Sequence, residues 1–163
     1  MTDKEVPMIT INLPNEETTK KLAYDIAQLS QAGDIFILTG DLGAGKTTFT
    51  KGFAEGLGIS QMIKSPTYTL IKEYETGTLP LYHMDVYRLG EGASDLGLDE
   101  YLEGDGVCVI EWGHLIKEDI FSPYTELFLD KSSDNERVFS ISKTDNELTN
   151  RLIKGLQDKG WEI

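Results

Sequence analysis

Ile35-Phe36-Ile37-Leu38-Thr39 runs without a break into Gly40-Asp41-Leu42-Gly43-Ala44-Gly45-Lys46-Thr47. The first stretch is short and continuously apolar, the pattern of a strand buried on both faces. Phe49, Phe53, Ala54 and Leu57 then recur at helical spacing and predict a helix ending near Gly58. Between strand and helix the sequence fits G-x-x-x-x-G-K-[ST] at every fixed position. That spacing has a physical cause. The glycines let the backbone wrap a phosphate without side-chain clashes. Successive amides of Asp41, Leu42, Gly43, Ala44 and Gly45 can then converge as an anion nest, and the helix that follows points its positive end at the same place. Lys46 is expected to reach the β and γ phosphates. Thr47, with Thr48 beside it, opens the helix, and the Thr47 hydroxyl is expected to ligate a Mg²⁺ that bridges them. An ordinary glycine turn entering a helix is the plain alternative. The buried-type strand before the loop and the amphipathic helix after it favour a nucleotide site.

The periodicity continues on both sides. Met8 to Leu13 alternates as a strand. Asn15 suits a helix cap, with Glu16 and Glu17 in the first turn, where negative charge complements the helix dipole. Leu22, Ala23, Ile26, Ala27 and Leu29 give that helix its apolar face up to about Ser30, and Gly33 is placed as its stop. Tyr68–Tyr74 and Leu79–Tyr87 read as a hairpin across Thr76-Gly77. Gly90–Leu102 reads as a loop with one short helix. Val107-Cys108-Val109-Ile110 is a second buried-type strand, ending at Glu111-Trp112. Residues 125–129 and 137–142 form another hairpin pattern across Ser132-Ser133-Asp134-Asn135. A last helix is expected from about Asp145 to Gln157, with Leu148, Leu152, Ile153 and Leu156 inward. The fold class is α/β: one P-loop NTPase-like domain over residues 1–163, its mixed parallel and antiparallel sheet flanked by helices.

Composition narrows the function classes. The 163 residues carry 15 Lys and Arg against 28 Asp and Glu, a net charge of −13. A broad basic surface for nucleic acid is therefore excluded, because phosphate binding needs clustered Lys and Arg. Apolar runs such as Ile35–Leu38 fall far short of the ~20 residues of a membrane span. The polar start, Met1-Thr2-Asp3-Lys4-Glu5, shows no secretory pattern. Cys108 is the single cysteine, so no intramolecular disulfide can form, which fits a reducing compartment. A cytoplasmic location is expected.

A phosphate loop alone does not hydrolyse a nucleotide. Glu111 follows four apolar strand residues, the position from which an acid reaches the metal in such sites; Asp is more usual there, and a surface Glu at a strand end is the alternative. His83, Asp85 and Tyr87 alternate and share one strand face. They read equally as a site or as an exposed hairpin face. His83 is read as structural or supporting, since two potential ligands do not make a metal site. In Ser65-Pro66-Thr67 the threonine could sense a γ-phosphate as switch loops do, but taken alone a plain turn explains it. Arg88, Arg137 and Arg151 are the only arginines, few for a kinase that clamps a moving phosphate with several. No Asp has Gly three residues later, so D-x-x-G is missing. Ser142-Lys143-Thr144-Asp145 only approximates N-K-x-D, and ATP is favoured over GTP.

Four segments taken together resemble the TsaE (YjeE) family of bacterial ATPases in tRNA threonylcarbamoyladenosine biosynthesis. They are Gly40–Thr48, Lys64-Ser-Pro-Thr-Tyr-Thr-Leu70, His83-x-Asp-x-Tyr-Arg-Leu89 and Ile110-Glu-Trp112, in order and at family spacing over about residues 15–115. The resemblance implies a P-loop fold, weak intrinsic ATP hydrolysis and a Mg²⁺ cofactor. It implies the proteins TsaD and TsaB as partners, with tRNA reached only through them and no membrane. It implies Lys46 on phosphate, Thr47 and Glu111 at Mg²⁺, Asp85 near the catalytic centre, Thr67 and Trp112 close by, and Glu16 near the base pocket. Gly113-His114 departs from the family's usual Pro or acid there and leaves His114 without a role. Whether Asp85 or Glu111 positions the attacking water stays open. The rival readings are a nucleotide-gated adaptor with incidental hydrolysis and a small-molecule kinase.

Overall fold

The structure, a computed structural model, describes residues 7–41, 43–63, 71–86, 98–112, 117, 118, 120 and 122–163. In chain order these form β1 (Met8–Leu13), α1 (Glu16–Leu29), β2 (Ile35–Thr39), α2 (Lys46–Gly56), β3 (Ile71–Tyr74), β4 (Leu81–Asp85), α3 (Leu98–Leu102), β5 (Val107–Glu111), β6 (Thr125–Lys131), β7 (Arg137–Ser142) and α4 (Glu147–Asp158).

The strands make one seven-stranded sheet in the order β1-β7-β6-β2-β5-β4-β3. β6, β2, β5 and β4 are mutually parallel at its centre. β7 and β3 run antiparallel to their central neighbours, and β1 pairs antiparallel with β7. This is the expected mixed sheet. The parallel centre follows from sequence: β2 and β5 are apolar at successive positions because both of their faces are covered. Phe36, Leu38, Val107 and Val109 face the core under α1, α2 and α4, whereas Ile35, Ile37, Cys108 and Ile110 face a second core with Leu98 and Leu102 of α3.

The helix that starts at the glycine loop is fixed hard to the sheet. Phe53 meets Phe36 edge-on at 5.8 Å, and Phe49 stacks on Phe139 at 5.7 Å. All four rings are fully buried, and each such side chain contributes about 1.5–3 kcal/mol by burial. α1 lies close against α2 at Gly52, where an added Cβ would come within 2.5 Å of the Lys20 carbonyl oxygen.

Two sequence expectations shift. Gly33 is not the stop of α1. Ser30 ends that helix in an extended conformation, its N–H donating to the Ala27 carbonyl, and Gly33 instead turns the chain into β2 at φ 90°. α4 starts two residues later than expected, because the Asn146 side chain accepts from the Thr149 N–H and caps it; Ile153 is only half-buried beside Leu148, Leu152 and Leu156. Among the described residues no helix is long and apolar enough to cross a membrane.

Candidate functional site

The loop after β2 enters α2 through Gly45, which sits in the left-handed region at φ 99°; Gly43 is there too, at 83°. A side chain at Gly45 would pay for that backbone. α1 and α4 begin on Asn15 and Asn146, whose side chains each accept a first-turn N–H. No side chain caps α2. Its positive end is thus offered to whatever anion the loop cradles. The loop is braced from outside by Arg137, at the start of β7. Its Nε donates to the Ala44 carbonyl at 2.9 Å and its Nη2 to the Gly43 carbonyl at 3.2 Å, while Nη1 donates to the Ser133 and Glu136 carbonyls. Those contacts fix the Gly43 and Ala44 carbonyls, and the Ala44 N–H donates within the loop to the Asp41 carbonyl at 3.0 Å.

Lys46, the first residue of α2, meets the end of β5. Its Nζ lies 3.5 Å from Glu111 Oε1 and 5.2 Å from the centre of the Trp112 ring. Glu111 is 8% exposed, and its other oxygen, Oε2, is 2.6 Å from Nε2 of His83, itself 1% exposed. Burial alone pushes the Glu111 carboxyl up. The hydrogen bond and charge of His83, then Lys46, more than offset it, and the group ends below its ordinary value. Glu111 is therefore held as a carboxylate. Trp112 follows at φ 63°, a left-handed conformation rare outside glycine, so the chain turns sharply just past the carboxylate.

Asp85 ends β4 in register with Glu111 on β5, and His83 pairs with Val109 two residues back. Alternation puts His83, Asp85 and Glu111 on the sheet face that α2 covers. His83 is thus not on an exposed face: it is buried, and Asp85 is half-buried beside Glu111. Thr47 is exposed on the first turn of α2. Asp41, Ala44, Gly43 and Gly45 line the loop as expected. Leu42, Thr67, Tyr87, Arg88 and His114 lie outside the described residues.

Two cavities flank the loop. The larger, about 630 Å³, is lined by Asn15, Glu16, Gly45, Thr48, Asn135 and Arg137 among others, a size suited to a small ligand. Glu16 Oε1 accepts from Thr48 Oγ1 across it at 3.5 Å. The smaller, about 90 Å³, is lined by Thr39, Asp41, Lys46, Trp112 and Asp130. There Thr39 Oγ1 is buried with no hydrogen-bond partner among the described residues. Ser142-Lys143-Thr144-Asp145 follows the far end of β7 and leads into the α4 cap, at the opposite end of the strands from the loop. Sequence reasoning missed Arg137 as a brace. It spans 93 residues to Ala44, and no local pattern marks such a contact.

A family model described as threonylcarbamoyl adenosine biosynthesis protein TsaE matches residues 13–139. The chain belongs to the TsaE family. TsaE from Bacillus subtilis is 52% identical over 132 residues, 81% of this chain and 84% of the relative. TsaE from Treponema pallidum is 43% identical over 128 residues, 77% of this chain and 94% of that protein. The crystal structure of Bacillus subtilis YdiB superposes with a TM-score of 0.82 at 44% identity, covering 94% of this chain and 97% of that one. TsaE membership ties the chain to threonylcarbamoyladenosine biosynthesis, and the four-segment resemblance read from the sequence is borne out.

Proposed function

We propose that this chain is a Mg²⁺-dependent ATPase subunit of the tRNA threonylcarbamoyladenosine machinery, hydrolysing ATP to support turnover of a TsaD–TsaB complex. In this reading residues 1–163 work as one cytoplasmic domain, and tRNA is reached only through the protein partners. The observation that carries it is the convergence of an uncapped helix start, Lys46 and the ionised Glu111 at one end of the sheet.

The donor set fits the cation. Mg²⁺ takes one or two hard protein oxygens and fills its shell with water and phosphate oxygens. Thr47 offers a hydroxyl at the mouth of the loop, and Glu111 offers an oxygen that faces it. When bound, the cation neutralises charge on the β and γ phosphates. The chain's own groups do the rest. The loop amides and Lys46 bind the phosphates and stabilise negative charge as it develops. Glu111, locked between His83 and Lys46, is better placed as a fixed ligand than as a base. Asp85, in register beside it at the end of β4, orients the attacking water. The larger cavity holds the nucleoside between Glu16, Thr48 and Asn135.

Phosphate release from ATP, measured alone and with TsaD–TsaB, tests the reading. Slow release that the complex stimulates, lost in Lys46→Ala, is the expected result. Near-normal turnover in that variant would sink the site. ATP use that requires a small acceptor would make the chain a kinase. Full support of tRNA modification by a non-hydrolysable analogue would make it an adaptor.

A further inference from the structure

His83 occupies a position where an apolar side chain would be the ordinary choice. It lies on β4 at 1% exposure, paired in register with Val109 and two residues from the fully buried Leu81. Its Nε2 meets Glu111 Oε2 at 2.6 Å, and its Nδ1 is buried with no hydrogen-bond partner among the described residues. An unpaired buried polar atom costs about 1–3 kcal/mol, so the ring is kept against a standing penalty. Its polar contact with Glu111 is what offsets that cost. An ionised carboxylate only accepts, so Nε2 carries the hydrogen and donates it. The two oxygens of Glu111 are thereby divided: Oε2 is tied back into the sheet, and Oε1 is turned towards Lys46 and the loop.

We propose that His83 is a positioning residue: it locks the Glu111 carboxylate so that Oε1 alone is presented to a divalent cation at the phosphate loop. This rests on the Mg²⁺-dependent reading above and assigns His83 no contact with cation or nucleotide. Groups that orient a metal ligand from behind commonly change metal affinity 10–100-fold when removed.

The experiment measures binding, not turnover. A fluorescent ADP analogue is titrated into wild type, His83→Leu and His83→Gln, in EDTA and across a Mg²⁺ series, and Mn²⁺ occupancy is followed by electron paramagnetic resonance. His83→Leu is expected to need roughly ten-fold more cation for half-saturation while its affinity in EDTA changes less than about two-fold. His83→Gln, which keeps a donor near the Nε2 position, restores most of the loss. Unchanged cation dependence in His83→Leu, or equal weakening with and without cation, overturns the inference. Should His83→Leu fail to fold, Glu111→Gln and Glu111→Gln/His83→Gln decide instead. The two must show the same cation dependence, and an additional loss in the double variant overturns the proposal. Nucleotide binding that is indifferent to Mg²⁺ in wild type overturns the metal-dependent reading itself, a result distinct from either.

Discussion

The two ends of the central strands handle buried charge in opposite ways. At the end where β2 begins, Asp34 is closed off. Arg151 grips it with Nη1 and Nη2 at 2.9 Å each, the Gln31 N–H donates to it at 2.7 Å, and Nη1 also donates to the Leu29 carbonyl. The Asp34 hydrogen bond is the leading cause that raises the Arg151 guanidinium above its ordinary value. The Asn146 cap of α4 lies at this end too, and Arg151 Nε is its one unpaired buried atom among the described side chains. Where β2 and β5 finish, His83 holds one oxygen of Glu111 at 2.6 Å, but the contact on the loop side is looser. Lys46 and Glu111 stand 3.5 Å apart, and among the described residues no side chain caps α2 and Thr39 Oγ1 and His83 Nδ1 lack partners. A closed bidentate pair holds a fold together, whereas a long contact beside unsatisfied polar atoms can exchange its partner for a ligand.

The sharpest way to break this comparison is to remove one acid from each end. Asp34→Ala leaves Arg151 partly buried without its carboxylate, keeping only the Leu29 carbonyl, and should cost about 3 kcal/mol in urea unfolding. Nucleotide affinity of the folded fraction should be unchanged. Glu111→Gln, whose amide oxygen can still accept from His83 Nε2, should cost less stability than Asp34→Ala, yet lose cation-dependent nucleotide binding. The reverse order of stabilities would mean that the loose pair, not the closed one, supports the fold.

Gly45→Ala sharpens the same contrast with a smaller effect. A Cβ there would touch Arg137 Nε and Leu129 Cδ2 at an ordinary 3.6 Å, so the cost comes from the left-handed backbone, about 1–2 kcal/mol. Because that backbone aims the loop, nucleotide affinity should fall at least about ten-fold. Calorimetric titration of ADP with and without Mg²⁺ checks it, and an affinity equal to wild type would detach the loop's conformation from binding.

Much of this was legible in the sequence because its signals are local. The run Ile35–Thr39, the glycine spacing and the Asn15 cap each act within a few residues, and each fell where expected. Glu111 was legible as a strand end, whereas Asp85 read as an interior position of a strand reaching Tyr87 and in fact ends β4. The links that make a site of them were not. His83 to Glu111 crosses 28 residues, and Arg137 to the loop crosses 93 or more. Such contacts depend on strand order, and the placement of β4 beside β5 rather than β2 is set by tertiary packing. Gly33 misled for a related reason: a positive-φ glycine serves a turn into a strand as well as a helix stop, and only the hydrogen bond from its N–H to the Gly106 carbonyl separates the two.

A test of both ends at once uses β5 itself, which runs from one to the other. Its Cys108 N–H donates to the Asp34 carbonyl at 2.9 Å, and Glu111 closes the same strand three residues on. Burial pushes the Cys108 thiol up to about 12, so at pH 8.5, where an ordinary thiol is half ionised, the native side chain is neutral and unreactive. The sign follows. The unfolded thiol ionises first as pH rises, so this position's contribution to stability is intact below about 8.5 and is lost as pH climbs towards 12. Alkylation by iodoacetamide in the native state then reports only the openings that expose β5. Asp34→Ala should speed it by roughly a hundred-fold, the factor that about 3 kcal/mol implies. Glu111→Gln should speed it less, since the amide oxygen can keep the hydrogen bond from His83. Equal acceleration by both substitutions would show that β5 opens from its functional end, and the two ends would then differ in ligand chemistry but not in mechanical role.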